Sequence, residues 1–243
     1  MSIKLFDINS QAKGNFNGGE ILENKPIGFP QDGGDLKPYS NLFYWAHAWA
    51  PNNDSIIGLH PHRGFEICSF VLKGEIEHYD TLLDKWITLN EGDVQVIKAG
   101  KGISHSEKLK SGSEIFQIWF DPNIQLSITK EASYDDYKSD DFEVIENNGT
   151  KTKKIAGKNC PMKIFSEGIE INSYEIIEKN KLNLQLQNDS VYSYFILDGE
   201  GSINNDKIEK GDFFIVSDSE NLIINTNSKT KIFEMQSPQR PSY

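Results

Sequence analysis

The chain alternates short apolar runs with polar turns along most of its length. These runs are rich in β-branched and aromatic residues and are broken by Gly, Asn and Asp, as in EICSFVLKGEIEHYD, KWITLN, DVQVIKAG, EIFQIWF, SVYSYFILDGEGSI and GDFFIVS. This pattern predicts short β-strands separated by tight turns. Only EASYDDYKS and its surroundings suggest a short helix. Many closely spaced strands indicate an all-β fold, either a sandwich or a barrel.

The two halves of the chain repeat the same order of motifs. VLKGEIE, EGDVQVI and EIFQIWF in the first half correspond to ILDGEGS, KGDFFIV and KIFEMQS in the second. Two copies of one β-unit explain a length of 243 residues better than a single domain does. We therefore predict two domains, residues 1–130 and 131–243, with the acidic stretch from Asp121 to about Ser139 as the junction.

The composition narrows the classes of partner. Asp and Glu number 36 against 25 Lys and Arg, which gives a net charge of −11. Such a chain lacks the basic face that nucleic acid or an anionic membrane requires. The sequence shows no run of about 18 apolar residues and no apolar signal core, and Cys68 and Cys160 stand in unrelated contexts. We expect a cytoplasmic protein that binds neither nucleic acid nor membrane.

Two of the five histidines lie two residues apart. His60 and His62 precede an apolar run in GLHPHRGFEICSF. Side chains at i and i+2 of a β-strand project from the same face. Two neighbouring neutral imidazoles suit a divalent metal, which takes a lone pair from each ring. For either residue alone, the alternative is a histidine that only makes hydrogen bonds within the core.

A second pair strengthens the metal hypothesis. His105 and Glu107 repeat the same spacing in AGKGISHSE, further along the chain. If both pairs lie on strands of one barrel, three imidazoles and one carboxylate can converge on one ion. This ligand set suits Fe(II), Mn(II), Ni(II), Cu(II) or Zn(II). Four protein ligands around octahedral iron would leave two positions, for a substrate oxygen and O₂.

Several segments between about Gly58 and Phe120 resemble the pirin family of the cupin superfamily: HPHRGFE, LKGEIEHYD, GDVQ, AGKGISHSE and FQIWF. The resemblance implies a double cupin (bicupin), with two β-barrel or jelly-roll domains in one chain and one metal ion, usually iron, in the N-terminal barrel. It also implies a quercetin 2,3-dioxygenase-like activity, and it links the animal members to transcriptional regulation. Matched onto this chain, the implied metal ligands are His60, His62, His105 and Glu107.

Three further residues have competing interpretations. Glu66 lies where many cupins place a carboxylate ligand, but the pirin pattern uses Glu107, so we expect Glu66 to orient a ligand ring. His78 follows a Gly turn and is expected to be a hydrogen-bonded barrel residue, and His47, between two tryptophans, is expected to pack. The stretch NLFYWAHAWAPNNDSI before Gly58 matches the family loosely, and residues that line the pocket are expected there.

The second repeat lacks strong metal ligands. Counted from the matching Gly-Glu and Gly-Asp turns, the four ligand positions of the first half correspond in the second to Gln185, Gln187, Ile224 and Thr226. An amide oxygen binds a transition ion weakly beside imidazoles, and an Ile offers no lone pair. We predict a second barrel without metal, with its interior filled by side chains such as Phe195 and Phe213 or Phe214.

Three functions are compatible with such a site. The favoured function is a metal-dependent dioxygenase, with Fe(II) as the leading metal, that opens a flavonol such as quercetin or another enediol with O₂. Glu107 would be the catalytic residue, acting by turns as ligand and proton acceptor. The alternative is a non-enzymatic metal- or redox-sensing protein that regulates a protein partner, and the third is a metal that only stabilises the barrel. An open site of three His and one Glu is unusual for a structural metal, which favours the enzyme.

Overall fold

The computed structural model describes residues 2–243, which form two compact units of antiparallel strands. The N-terminal unit comprises residues 11–141, 164–166 and 243, and the C-terminal unit comprises residues 2–10, 142–163 and 167–242. The helices are a single-turn α1 (Ile124–Ser127) and 3₁₀ turns at 17–19, 30–32 and 139–141. None of the helices between residues 2 and 243 has the length and apolar character needed to span a bilayer. The all-β prediction is confirmed.

The units differ from a simple division after residue 130 because the first strand, β1 (Ser2–Phe6), belongs to the C-terminal unit. It pairs with a strand of that unit from Ser2 opposite Ser217 to Phe6 opposite Phe213. The chain leaves the N-terminal unit only after residue 141 and returns to it briefly at 164–166. The repeats in the sequence do not reveal that residues 2–10 and 164–166 belong to these units, because that assignment depends on contacts between segments far apart in the chain.

Eleven strands build the N-terminal unit. They are β2 (Ala12–Phe16), β3 (Ile21–Ile27), β4 (Leu42–Trp49), β5 (Ser55–His62), β6 (Glu66–Lys73), β7 (Glu75–Asp80), β8 (Trp86–Asn90), β9 (Val94–Lys98), β10 (Ile103–Leu109), β11 (Glu114–Phe120) and β12 (Ser133–Tyr137). They form a seven-stranded sheet in the order β12-β9-β6-β11-β4-β3-β2 and a four-stranded sheet in the order β5-β10-β7-β8. Ile76, Leu89 and Leu109 of the smaller sheet pack with Ile21, Val71 and Ile115 of the larger one.

The short helix predicted around EASYDDYKS lies beside this segment, at Ile124–Ser127, and a 3₁₀ turn follows at Ser139–Asp141, whereas Ser133–Tyr137 itself forms the edge strand β12. It pairs with β9 from Ser133 opposite Lys98 to Tyr137 opposite Val94. The Lys98 Nζ and Asp135 Oδ2 atoms lie 2.8 Å apart across this pair. An acidic segment with two tyrosines can therefore form a strand when a neighbouring edge supplies hydrogen bonds and an opposite charge.

The C-terminal unit repeats the same arrangement of two sheets. Its further strands are β13 (Val144–Asn147), β14 (Thr150–Ala156), β15 (Glu170–Ile176), β16 (Asn180–Gln185), β17 (Ser190–Asp198), β18 (Glu200–Ile203), β19 (Asp206–Glu209), β20 (Phe213–Ser217), β21 (Asn221–Thr226) and β22 (Thr230–Pro238). The sheets have the orders β1-β20-β17-β22-β15-β14-β13 and β16-β21-β18-β19. Of the three predicted interior phenylalanines, Phe214 lies in the core cluster of this unit, which includes Tyr194 and Val216, and Phe195 and Phe213 are also buried.

The C-terminal positions matched to the metal ligands do not share one environment. Ile224 and Thr226 are buried, but Gln185 and Gln187 are exposed. Leu182 pairs with Ile224 across β16 and β21 and belongs to the core cluster. The count from the shared glycines therefore fails on this strand, because the connections of the two repeats differ in length.

Candidate metal centre

Strand β10 lies between β5 and β7 in the four-stranded sheet and carries two of the predicted ligands. His105 lies opposite His60 of β5 on one side and opposite Asp80 of β7 on the other. Glu107 lies opposite His78. Directly opposite residues of antiparallel strands share a face. The sheet therefore gathers potential metal ligands from three neighbouring strands on one face.

A β-bulge adjusts the pairing of β5 with β10 beside these residues. Regular pairing after His105 and His60 would bring Glu107 opposite Gly58, but the register shifts and Glu107 lies opposite Ile57. Bulges leave a residue unpaired and re-aim the side chains around it. The Gly58 carbonyl oxygen lies 2.8 Å from Nδ1 of His60. A carbonyl oxygen only accepts, so Nδ1 carries the hydrogen and Nε2 of His60 keeps its lone pair.

The three predicted histidine ligands form one tight cluster. Their ring centroids lie 4.4 to 4.7 Å apart, and the Nε2 atoms of His62 and His105 are 2.9 Å apart. Burial, together with the neighbouring rings, lowers the pKa of His62 to about 3. Burial and the neighbouring histidines lower the pKa of His105 to about 2. Both rings are therefore neutral near pH 7, the form in which imidazole binds a metal.

The Glu107 carboxylate is fully buried and accepts hydrogen bonds at both oxygens. Oε1 accepts from Ser69 Oγ at 3.0 Å and from Gln95 Nε2 at 3.1 Å, and Oε2 accepts from Gln117 Nε2 at 2.6 Å. All three donors lie on the seven-stranded sheet. Outer hydrogen bonds of this kind fix the orientation of a metal-binding carboxylate.

His78 and Asp80 form a third pair with spacing i, i+2, which was not predicted as part of the site. His78 Nε2 lies 2.8 Å from Asp80 Oδ2, and both side chains are fully buried. His78 Nδ1 has no hydrogen-bond partner among residues 2–243. Potential ligand atoms of His78, His105 and Glu107 lie within 4.8 Å of one another. The spacing of His and Asp in EHYD was the available signal, and the expected hydrogen bond of His78 is made to Asp80.

The residues present fit a divalent transition metal. Ring nitrogens of His60, His62 and His105 all lie within 4.8 Å of one another, and Glu107 lies beside His105. Nδ1 of His105 is also buried without a hydrogen-bond partner among the residues that the structure describes. Neutral imidazoles and a carboxylate are the donors that suit Mn, Fe, Ni, Cu and Zn. The assignment of these four residues as the ligand set stays a prediction.

Glu66 does not orient a ligand ring as expected. Its carboxylate instead accepts hydrogen bonds from the backbone N–H groups of Phe165 and Ser166 at 2.7 and 2.9 Å and from the Ser166 hydroxyl at 2.5 Å. On β6, Ser69 contacts Glu107, so Glu66 points to the opposite face because the two residues differ in parity. His62 and Glu66 lie on β5 and β6, which belong to different sheets, so their even spacing in the sequence does not place them on one face.

A cavity of about 370 Å³ opens beside this cluster. Its wall includes His60 and Glu107, together with Gln117. Aromatic and charged side chains complete the wall and include Phe16, Phe29, Tyr44, Trp119, Glu23 and Lys25. His62 borders a separate, more open depression of about 450 Å³ with Arg63 and Thr81. Mostly apolar cavities with a few polar groups are typical of small-molecule sites.

Residues 34–120 match the family model described as Pirin. This segment is therefore similar to pirin-family domains. The pirin-like chain is 37% identical over 105 residues to a pirin-like protein of Arabidopsis thaliana, an alignment that covers 41% of this chain and 33% of the relative. The chain spans between about a third and a half of the length of the first curated relatives that it matches.

Two further comparisons extend over most of the pirin-like chain. Quercetin 2,3-dioxygenase of Escherichia coli K12 is 25% identical over 217 residues, which cover 82% of this chain and 90% of that protein. The crystal structure of the bacterial pirin YhhW of Escherichia coli in complex with nickel(II) superposes with a TM-score of 0.81 at 20% identity and covers 98% of this chain and 99% of that one. The prediction of a double cupin is confirmed at the level of the fold.

Proposed function

We propose that this chain is a metal-dependent dioxygenase that opens a flavonol such as quercetin with O₂. The observation that carries the proposal is the cluster of His60, His62 and His105, with Glu107 beside His105, next to an aromatic cavity whose wall includes His60 and Glu107. His60, His62, His105 and Glu107 would hold one divalent ion. Iron(II) is the leading candidate, and the nickel in YhhW supports a divalent ion without distinguishing iron from Mn, Ni, Cu or Zn.

Each side chain of the site would have a separate role in such a reaction. A bound ion would supply Lewis-acid chemistry to an ionised substrate hydroxyl and to O₂. Glu107 borders the cavity and would accept the proton of that hydroxyl at a carboxylate oxygen. Gln117 would hold Glu107 in place through its 2.6 Å hydrogen bond. Tyr44 and Trp119, with ring centroids 4.5 Å apart, would form an apolar wall that limits the access of water to the planar ligand.

Oxygen consumption by metal-loaded protein tests the proposal. Wild-type protein with confirmed metal should consume O₂ in the presence of quercetin, and Glu107→Gln should abolish turnover because the amide cannot take up the proton. Glu114→Gln is the matched control, since Glu114 is partly exposed and pairs with Lys73 and His47. Full turnover in Glu107→Gln would contradict the assigned role. Absence of O₂ uptake across a flavonol panel, with metal bound, would instead favour a metal- or redox-sensing protein with a protein partner.

A further inference from the structure

Two charged side chains outside the segment that matches the family model, Glu23 and Lys25, line the cavity. Glu23 and Lys25 lie on β3 and Asp32 lies in the following turn, all before residue 34. Lys25 Nζ lies 3.3 Å from Glu23 Oε2 and 3.1 Å from Asp32 Oδ2. Tyr44 donates from its hydroxyl to Glu23 Oε1 at 3.3 Å. These four residues are called the Lys25 cluster below.

A continuous row of contacts joins the Lys25 cluster to the candidate metal centre. The ring of Tyr44 packs on Trp119, and Trp119 Nε1 donates to Gln117 Oε1 at 3.1 Å. Gln117 in turn donates to Glu107. Glu107, Gln117, Trp119, Tyr44 and Lys25 all border the 370 Å³ cavity. A molecule bound in this cavity therefore contacts the candidate metal centre at one part of the wall and the Lys25 cluster at another.

The charges of Glu23 and Lys25 are buried, and the desolvation of a buried charge destabilises the folded state. Glu23 and Lys25 are 6% and 8% exposed, and burial raises the pKa of Glu23 despite the adjacent ammonium. A buried ion pair is weak evidence for stability, because desolvation offsets the attraction between its charges. The backbone also leaves room for this pair, since a Cβ on Gly14 would overlap Glu23 Oε2 and crowd the Lys25 ammonium.

The hydrogen-bonding capacity of the cluster identifies the group that it can recognise. An ammonium has three N–H donors; Lys25 donates one to Asp32 Oδ2 and forms an ion pair with Glu23 Oε2. Lys25 Nζ lies 5.9 Å from the centroid of the Tyr44 ring and Lys25 borders the cavity, so a ligand packed on that ring can accept from the ammonium and donate to the Glu23 carboxyl. Two carboxyl groups around one ammonium leave no positive charge to balance an anionic ligand group. A hydroxyl, which both donates and accepts without charge, is the complementary group.

We propose that Lys25 and Glu23 select a planar aromatic ligand by binding an uncharged hydroxyl at the end of the ligand that is remote from the candidate metal centre. A carboxylate in that position is disfavoured. This inference rests on the proposed function, because it concerns the same cavity, and it assigns the specificity of the chain to residues that precede the matched pirin segment.

Anaerobic titration of the metal-loaded protein with three flavonols tests this assignment. The probes are quercetin, a flavonol without hydroxyls on the pendant ring, and a flavonol with a carboxylate on that ring. Lys25→Met should weaken quercetin binding about tenfold or more, the loss that corresponds to one hydrogen bond to a charged group, and should leave the unsubstituted flavonol unchanged. Lys37→Met is the matched control, because Lys37 is exposed and donates to the Gly34 carbonyl oxygen.

Glu23→Gln supplies a second variant that does not depend on the folding of Lys25→Met. It removes negative charge and should improve binding of the carboxylate-bearing flavonol relative to quercetin. Equal weakening of all three flavonols by Lys25→Met, or wild-type binding of the carboxylate ligand as tight as that of quercetin, would overturn the assignment. Selective binding without O₂ consumption would reject the dioxygenase proposal and leave the recognition role standing.

Discussion

The hydrogen bonds of Glu66 allow the effect of its removal on the free energy of unfolding to be calculated from the structure. This carboxylate is fully buried and accepts hydrogen bonds from three donors of Phe165 and Ser166, which belong to the N-terminal unit. Glu66→Ala leaves two backbone N–H groups without their acceptor, at about 1–3 kcal/mol each. The free energy of unfolding of the unit should therefore fall by about 2–6 kcal/mol. Ser166→Ala removes one hydrogen bond to a charged acceptor and should cost about 1.5–3 kcal/mol.

Tryptophan fluorescence reports on the N-terminal unit alone. The four tryptophans, Trp45, Trp49, Trp86 and Trp119, all lie within residues 11–141. Urea titrations followed by their emission therefore report unfolding of the N-terminal unit. Ser111→Ala is the matched control for Ser166→Ala, because its hydroxyl bonds an exposed carbonyl. A change below about 0.5 kcal/mol in Glu66→Ala, the range of ordinary surface substitutions, would refute the role assigned to this carboxylate.

Three further substitutions in the N-terminal unit have expected effects on metal affinity or on stability. Gln117→Leu should lower metal affinity about 10- to 100-fold, measured by competition with a chelator, because it removes one of the three donors to Glu107 and the only one to Oε2 that the hydrogen bonds above include. Unchanged affinity would contradict that support. In metal-free protein, the pKa of His62 is lower in the folded state than in the unfolded state, so the unfolded chain takes up the proton first as the pH falls. Between pH 6.5 and 3 the free energy of unfolding should therefore fall by up to about 1.4 kcal/mol per pH unit relative to His62→Asn. Equal pH profiles of the two proteins in urea titrations would reject this. Gly64→Ala should lower the urea midpoint, at a cost of about 1–3 kcal/mol, because φ is +91° and the new Cβ would lie 2.6 Å from Ile124; an unchanged midpoint would show that the site can relax.

The histidine cluster could be anticipated from the sequence because it depends on local geometry. Side chains two residues apart on a strand share a face, so His60 with His62 and His105 with Glu107 needed only the correct assignment of two strands. The strand assignments rested on strong alternation and on Gly turns, and the structure agrees with them. The convergence of the two pairs depended on the repeat and on the pirin-like motifs.

The remaining features depend on contacts between segments far apart in the chain. The pair His78 and Asp80 joins the cluster through the register of β7 with β10, which its local sequence does not specify. Glu66 meets Phe165, 99 residues later, so its role could not be read from its neighbours. The strand β12 took its conformation from pairing with β9, against the helical tendency of the segment.

The metal content of untagged protein, purified without added metal, tests the central claim most directly. Elemental analysis should find about one divalent transition ion per chain in the wild type. A triple variant with alanine at His60, His62 and His105 should contain almost none, whereas His47→Ala, the matched control outside the cluster, should retain the wild-type content. A stoichiometric ion in the triple variant would show that the metal is held elsewhere and would contradict the account.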